Sequence, residues 1–357
     1  MSRARICLLA LLACLGSACK SKESPAAEGA AKAKTFAVIP KGTTHEYWKS
    51  VHAGARKAAR ELGVEIIWKG PVREDDRDEQ IKVVETFLAR GVDGIVLAPL
   101  DDRALLPVLN DAKARKVPVL IIDSNVQWDG YVSYVATDNE KAGGLAATKL
   151  GTLLGGKGRV LVMRYQTGSA STSERENGFL ATLRKDFPNI QVVSDNQYGG
   201  ATTETAFATG ENLLSTHKEL DGIFCPNEST TFGMLRALSA AGRAGKLRFF
   251  GFDASPKLVE ALQKGEIDGL VVQNPMRMGE TAVRSLVALG QNKSVDKRVD
   301  TGAVLVTRDN MSEPAVRELL AEQRRVLAAA ESVATPDLDW LRNLERINTE
   351  IDRVWGP

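Results

Sequence analysis

The chain has 357 residues, 43% hydrophobic and 26% charged, a globular composition with length enough for two ordinary domains. A formal net charge of +2, with no dense basic patch interleaved with aromatics, argues against a nucleic-acid surface or any polyanionic partner. Cys7, Cys14 and Cys19 fall in the amino-terminal segment, which leaves Cys225 alone in the folded part and rules out an internal disulfide framework.

In chain order, Arg3 and Arg5 precede an apolar run from Ile6 to Leu15, and Gly16-Ser17-Ala18 follow before Cys19. This order reads as an export signal over residues 1–18, with an apolar run too short for a permanent membrane span. Small residues before a cysteine resemble a bacterial lipoprotein cleavage site, after which Cys19 would carry lipid and tie the protein to a membrane. Gly16 stands where leucine is usual, so ordinary cleavage after Ala18 stays open. Residues 19–34, rich in Lys, Ser, Glu, Ala and Gly without apolar periodicity, read as a flexible tether.

From Thr35 the pattern becomes regular. Short apolar runs predict strands at Phe36–Pro40, Val64–Trp68, Gly94–Ala98 and Val117–Asp123; apolar residues three and four apart predict helices at Glu46–Leu62, Asp78–Arg90 and Arg103–Ala114. A second series opens near Asp138-Asn139. It predicts a helix to Leu154, a strand at Arg159–Met163, a helix at Ser173–Lys185, a strand at Gln191–Ser194 and a helix at Thr203–Ser215. Two β-α series imply two lobes, each a three-layer α/β sandwich. The tail past Met311 reads as two helices, Glu313–Val333 and Leu338–Val354, with Trp340 and Trp355 available for packing.

Between Asp221 and Pro275 one device recurs three times: an apolar strand, a polar tip, then a helical pattern. The tips carry Asn227, Asp253 and Gln273. In parallel sheets ligands gather beyond the carboxyl ends of the strands, and amides with a carboxylate are an inventory for binding hydroxyls.

Glu46-Tyr-Trp-Lys-Ser, Ile121-Ile-Asp-Ser-Asn, Ala136-Thr-Asp-Asn, Ser173-Glu-Arg-Glu-Asn-Gly-Phe, Asn227-Glu, Gly251-Phe-Asp and Val272-Gln-Asn-Pro occur in this order. Over about Thr35–Arg308 this order resembles the periplasmic solute-binding proteins of the ribose, galactose and related sugar type. The resemblance implies two flavodoxin-like lobes joined by three crossings, near Thr137–Asn139, Gln273–Pro275 and Thr301–Leu305. Residues 35–138 with 274–303 would form the first lobe, 139–273 with 304–311 the second, and 312–357 a helical extension. The ligand would lie in the cleft, and closure would present a new surface to a partner.

Carried onto this chain, the resemblance implies that Tyr47 and Trp48 cover a sugar ring face and that Arg175 forks to two ligand oxygens. Asp123 and Asp253 would accept from hydroxyls on opposite lobes, while Asn227 and Gln273 donate and accept. Helix N-capping is the competing role for each acid. Lys41 stands where the ribose subgroup has a small polar residue, Ser124 replaces an arginine, and Ala201 replaces an aromatic. Lys41 in Val38-Ile-Pro-Lys and the run Trp68-Lys-Gly-Pro are similar to the autoinducer-2-binding branch. An ammonium there would reward a carboxylate, a phosphate or a rich hydroxyl set. His45 is placed at the cleft beside Tyr47.

The acidic run from Glu74 lacks the glycine and distal glutamate of a calcium loop and reads as helix-dipole acids. No metal spacing, phosphate loop or hydrolase elbow is present, so neither a catalytic constellation nor a cofactor is expected. The expectation is a monomeric, non-catalytic binding protein of the periplasm or cell surface, capturing a sugar or sugar-like polyol for an inner-membrane ABC permease. The alternatives are a receptor for a sensor kinase or chemoreceptor, and an autoinducer-2-type binding protein. The export signal occupies the place where a repressor of this fold would carry its DNA-reading helices.

Overall fold

The computed structural model describes residues 33–331; the export signal, Cys19, nearly all of the tether, the Leu338–Val354 helix, Trp340 and Trp355 lie outside the described residues. The first series is β1 (Thr35–Ile39), α1 (Glu46–Leu62), β2 (Glu65–Trp68), α2 (Arg77–Arg90), β3 (Gly94–Leu97), α3 (Leu106–Ala114), β4 (Val119–Ile122) and β5 (Tyr134–Ala136). The second is α4 (Asn139–Leu153), β6 (Lys157–Arg164), α5 (Ala170–Asp186), β7 (Asn189–Tyr198), α6 (Thr203–Thr216), β8 (Gly222–Phe224), α7 (Glu228–Ala240), β9 (Arg248–Phe252), α8 (Pro256–Lys264) and β10 (Gly269–Gln273). There follow α9 (Pro275–Gly290), β11 (Arg298–Asp300), β12 (Ala303–Val306) and α10 (Pro314–Glu331).

Two six-stranded sheets result, ordered β2-β1-β3-β4-β5-β11 and β7-β6-β8-β9-β10-β12. All pairings are parallel except β10 with β12. The first five strands of each follow the 2-1-3-4-5 order of flavodoxin-like sheets, so each has its topological switch point beside its first strand. Helices cover both faces, which is why β3 and β4 are buried at every position and read as unbroken apolar runs. In the first sheet Ala37, Ile95 and Leu97 pack with Val83 and Phe87 on one side; Phe36, Val38 and Val96 pack with Val51 and Val283 on the other.

Local chemistry sets the helix ends. Gly63 (φ 64°) stops α1 in the left-handed region, Asp76 caps α2 by accepting from Glu79 N at 3.0 Å, and Asn274 caps α9 from Arg277 N at 3.0 Å. Two helix pairs approach more closely than side chains allow. A Cβ on Gly54 would lie 2.0 Å from Met276 O and one on Gly279 2.0 Å from Val51 O, joining α1 to α9; Gly143 and Gly178 meet Arg175 O and Glu140 O in the same way, joining α4 to α5.

The chain passes between sheets at Thr137-Asp138, Asn274 and Thr301-Gly302. The third passage is shorter than the stretch Thr301–Leu305 expected from sequence, because Ala303 already pairs with Gln273 in the second sheet. Within α10, Val316 enters the second sheet's core, and Gln323 donates to Gln273 O at 3.1 Å beside a passage. No described helix is long and apolar enough to cross a membrane.

Candidate functional site

The carboxyl ends of the two sheets face one cleft, lined by side chains from both. Nine of the ten binding residues expected from sequence line it: Lys41, His45, Tyr47, Trp48, Asp123, Arg175, Asn227, Asp253 and Gln273. Ser124 does not line it; its hydroxyl is buried and accepts from Ser171 N at 2.9 Å, a bond between the two halves. Ala201 is buried away from the cleft lining.

Asp123 and Asp253 occupy equivalent places, each just past the fourth strand of its series and each with a positive φ, 61° and 68°. A non-glycine residue pays conformational energy there, and such outliers concentrate at binding sites. Each backbone N–H bonds to the next strand, Asp123 N to Val135 O and Asp253 N to Val271 O, which leaves the carboxylates turned into the cleft. Neither caps a helix. Asp253 accepts from Gln273 Nε2 at 2.8 Å and from Glu228 N at 3.1 Å, and burial raises its carboxyl above the usual range. Asn227 does cap α7, accepting from Thr230 N at 3.3 Å, while still lining the cleft.

Arg175 is buried on α5 and each nitrogen of its guanidinium donates one hydrogen bond. Nε donates to Asn139 Oδ1 at 2.8 Å, Nη1 to Pro226 O at 3.0 Å and Nη2 to Gln273 Oε1 at 2.9 Å; Asp123 Oδ1 lies 3.8 Å away and the Phe252 ring 4.5 Å. Gln273 therefore relays between Arg175 and Asp253. Lys41, expected to reward a carboxylate, a phosphate or a rich hydroxyl set, meets Asp123 Oδ2 at 2.9 Å and the hydroxyls of Ser169 and Ser171. That pairing changes the chemistry the position offers.

Glu74, taken from sequence as a helix-dipole acid, turns inward and becomes a hub. It faces His45 Nδ1 at 2.7 Å and accepts from the Trp48 indole at 2.5 Å and from the Tyr165 hydroxyl at 2.6 Å. Burial opposes both charges, but the pair outweighs it: His45 rises to about 9 and Glu74, helped by Lys41 and Tyr165, falls to about 2. Trp48 packs in the first half's core and presents its edge to the cleft. The Tyr47 hydroxyl donates to Asp123 Oδ1 at 3.1 Å, and burial with that carboxylate holds its pKa well above the ordinary value.

Sequence reasoning missed Glu74, Tyr165, Ser171, Thr172 and Glu228 as lining residues. Tyr165 directly follows β6 and Glu228 directly follows Asn227, so the strand-tip rule extended by one residue would have found both. Glu228 accepts from the backbone N–H groups of Glu46 and Tyr47 at 3.4 and 3.2 Å, the first turn of α1 in the other half. Burial, with Asp253 and Glu46 nearby, raises it to about 7 despite His45.

The model for the periplasmic binding protein domain matches residues 36–294. The ribose import binding protein of Bacillus subtilis is 25% identical over 284 residues, covering 80% of this chain and 90% of that protein. A carbohydrate transporter solute binding protein from Agrobacterium radiobacter, solved with D-arabinose, is 32% identical, covers 82% of this chain and 100% of its own, and superimposes with a TM-score of 0.78. A solute binding protein of an ABC transporter from Agrobacterium vitis, solved with D-fucose, is 36% identical, covers 80% and 99%, and gives a TM-score of 0.77.

Proposed function

We propose, from the premise that the chain belongs to the periplasmic binding protein domain family, that it captures a sugar or sugar-like polyol between its two halves and delivers it to an ABC importer. The observation that carries this reading is the convergence of Tyr47, Asp123, Arg175, Asn227, Asp253 and Gln273 on one cleft. Amide and acid groups suit a hydroxyl rim, and the rings of Tyr47 and Trp48 in the lining offer apolar surface to C–H groups. The relatives' ribose, arabinose and fucose set the size of guest to try first.

Binding without turnover is part of the same reading, supported by a lining in which Arg175, Gln273 and Asp253 hold one another in a hydrogen-bonded frame. Export through the amino-terminal segment, a lipid on Cys19 and docking of the closed form on a permease complete the reading; mass spectrometry of the mature chain and pull-down of the importer test these parts.

The test of the cleft is a thermal-shift screen over pentoses, hexoses, polyols and autoinducer-2. A sugar that stabilises the wild type is expected to lose its effect in Asp253→Ala. Unchanged ligand-induced stabilisation in that variant overturns the site.

A further inference from the structure

Three cationic side chains line the cleft, Lys41, His45 and Arg175, against four carboxylates, Glu74, Asp123, Glu228 and Asp253. The pairing is uneven. Lys41 is held by Asp123 at 2.9 Å and His45 by Glu74 at 2.7 Å, while each nitrogen of Arg175 donates once, to Asn139, Pro226 and Gln273. Every cation thus already has a protein oxygen beside it. Glu228 and Asp253 are the opposite case: their carboxylates take only neutral donors, the N–H groups of Glu46, Tyr47 and Glu228 and the amide of Gln273. Among the described residues neither forms an ion pair. The two residues lie side by side, since the Glu228 backbone N–H donates to Asp253 Oδ2 at 3.1 Å.

Deepening the reading of this cleft as a sugar site, on which it rests, we propose that the ligand is a hydroxylated ring or chain bearing an ammonium group, seated against Glu228 and Asp253, and that sugar acids are refused. Two carboxylates, Asp253 buried and Glu228 half-buried, that make no ion pair are costly, and a ligand ammonium supplies a close partner with several donors at once. A ligand carboxylate meets the reverse situation: cations that each already have a protein oxygen beside them, and two acids facing it. The raised pKa of both acids, owed first to burial, is what such a pair shows before a cation arrives.

The experiment compares parent, amine and acid at pH 7 by titration calorimetry: D-glucose, D-galactose and D-mannose with their 2-amino-2-deoxy sugars and uronates, and ribitol with 1-amino-1-deoxy-D-ribitol and D-ribonate. In at least one set the amine is expected to bind about tenfold or more tighter than the parent, with the acid weakest. Within E228Q, and separately within D253N, the amine-to-parent ratio is expected to fall toward one. The wild-type ratio alone is decisive should either variant fail to fold. A parent that binds with no gain for its amine, or an acid that binds as well as its parent, overturns this inference and leaves the sugar reading intact. Silence from all members of all sets overturns both.

Discussion

The Tyr165 hydroxyl donates to Glu74 Oε2 at 2.6 Å, and this one bond ties the tip of β6 in the second sheet to the loop before α2 in the first. Its neighbour Gln166 adds a bond from Nε2 to Glu74 O at 2.8 Å. Glu74 is therefore held from both sides of the cleft, by His45 and Trp48 on one and Tyr165 on the other. Tyr165→Phe keeps the ring and deletes only the bond to a charged acceptor. Affinity for the tightest sugar of the screen is expected to fall about tenfold, near the ~1.4 kcal/mol such a bond is worth. Calorimetry checks this; an unchanged Kd removes Tyr165 from the closing contacts.

Arg175→Lys keeps the charge and loses the fork. A lysine cannot serve Asn139, Pro226 and Gln273 together, so Gln273 is released and Asp253 loses the group that orients its amide partner. Ligand-induced thermal stabilisation is expected to vanish, and the unliganded protein to lose roughly 2 kcal/mol or more in urea unfolding. Retention of both quantities would mean that charge alone matters at this position.

Stability should depend on pH with a definite sign. His45 is raised from 6.5 to about 9, so its contribution is complete below 6.5 and lost as pH climbs through 9. Glu228 and Glu176 are raised from 4.5 to about 7, chiefly by burial, so their contributions are complete below 4.5 and lost as pH climbs through 7. Glu74, lowered from 4.5 to about 2, contributes above 4.5 and loses that contribution only toward pH 2. The melting temperature of the ligand-free protein is expected to peak at about pH 5 and to fall to about pH 9, with His45→Gln flattening the upper part of the slope. A melting temperature that rises from pH 6 to 9 contradicts these assignments.

Two glycines separate close approach from backbone conformation. Gly279→Ala places a Cβ 2.0 Å from Val51 O, where only separation of α1 and α9 makes room. Gly63→Ala meets nothing within 4 Å and bears only the cost of φ 64°. The first is expected to lose about 1–3 kcal/mol or more and the second about 1 kcal/mol, read from urea midpoints. Equal losses would show that the helix pair yields freely.

Much of the fold was legible because its signals are local. α1 ran from Glu46 to Leu62 in both sequence and structure, since its apolar spacing and Gly63 act within a few residues. β5 and β11 were not legible: three residues each, they are strands only because a neighbour offers its open edge. α5 begins at Ala170 rather than Ser173, because Lys41, Ser124 and Asp123 from the other half hold Ser169 and Ser171.

By itself the sequence determined two β-α series, the strand tips that carry polar groups, and the residue types able to hold hydroxyls, all consequences of spacing and chemistry along the chain. Only the tertiary structure decided which charges meet. Lys41 finds Asp123 across 82 positions, a separation of 123 − 41, and Glu74 finds His45 and Tyr165 from opposite sides. An ion pair depends on distance in space and on burial, and neither is written in the local pattern that makes a helix or a strand.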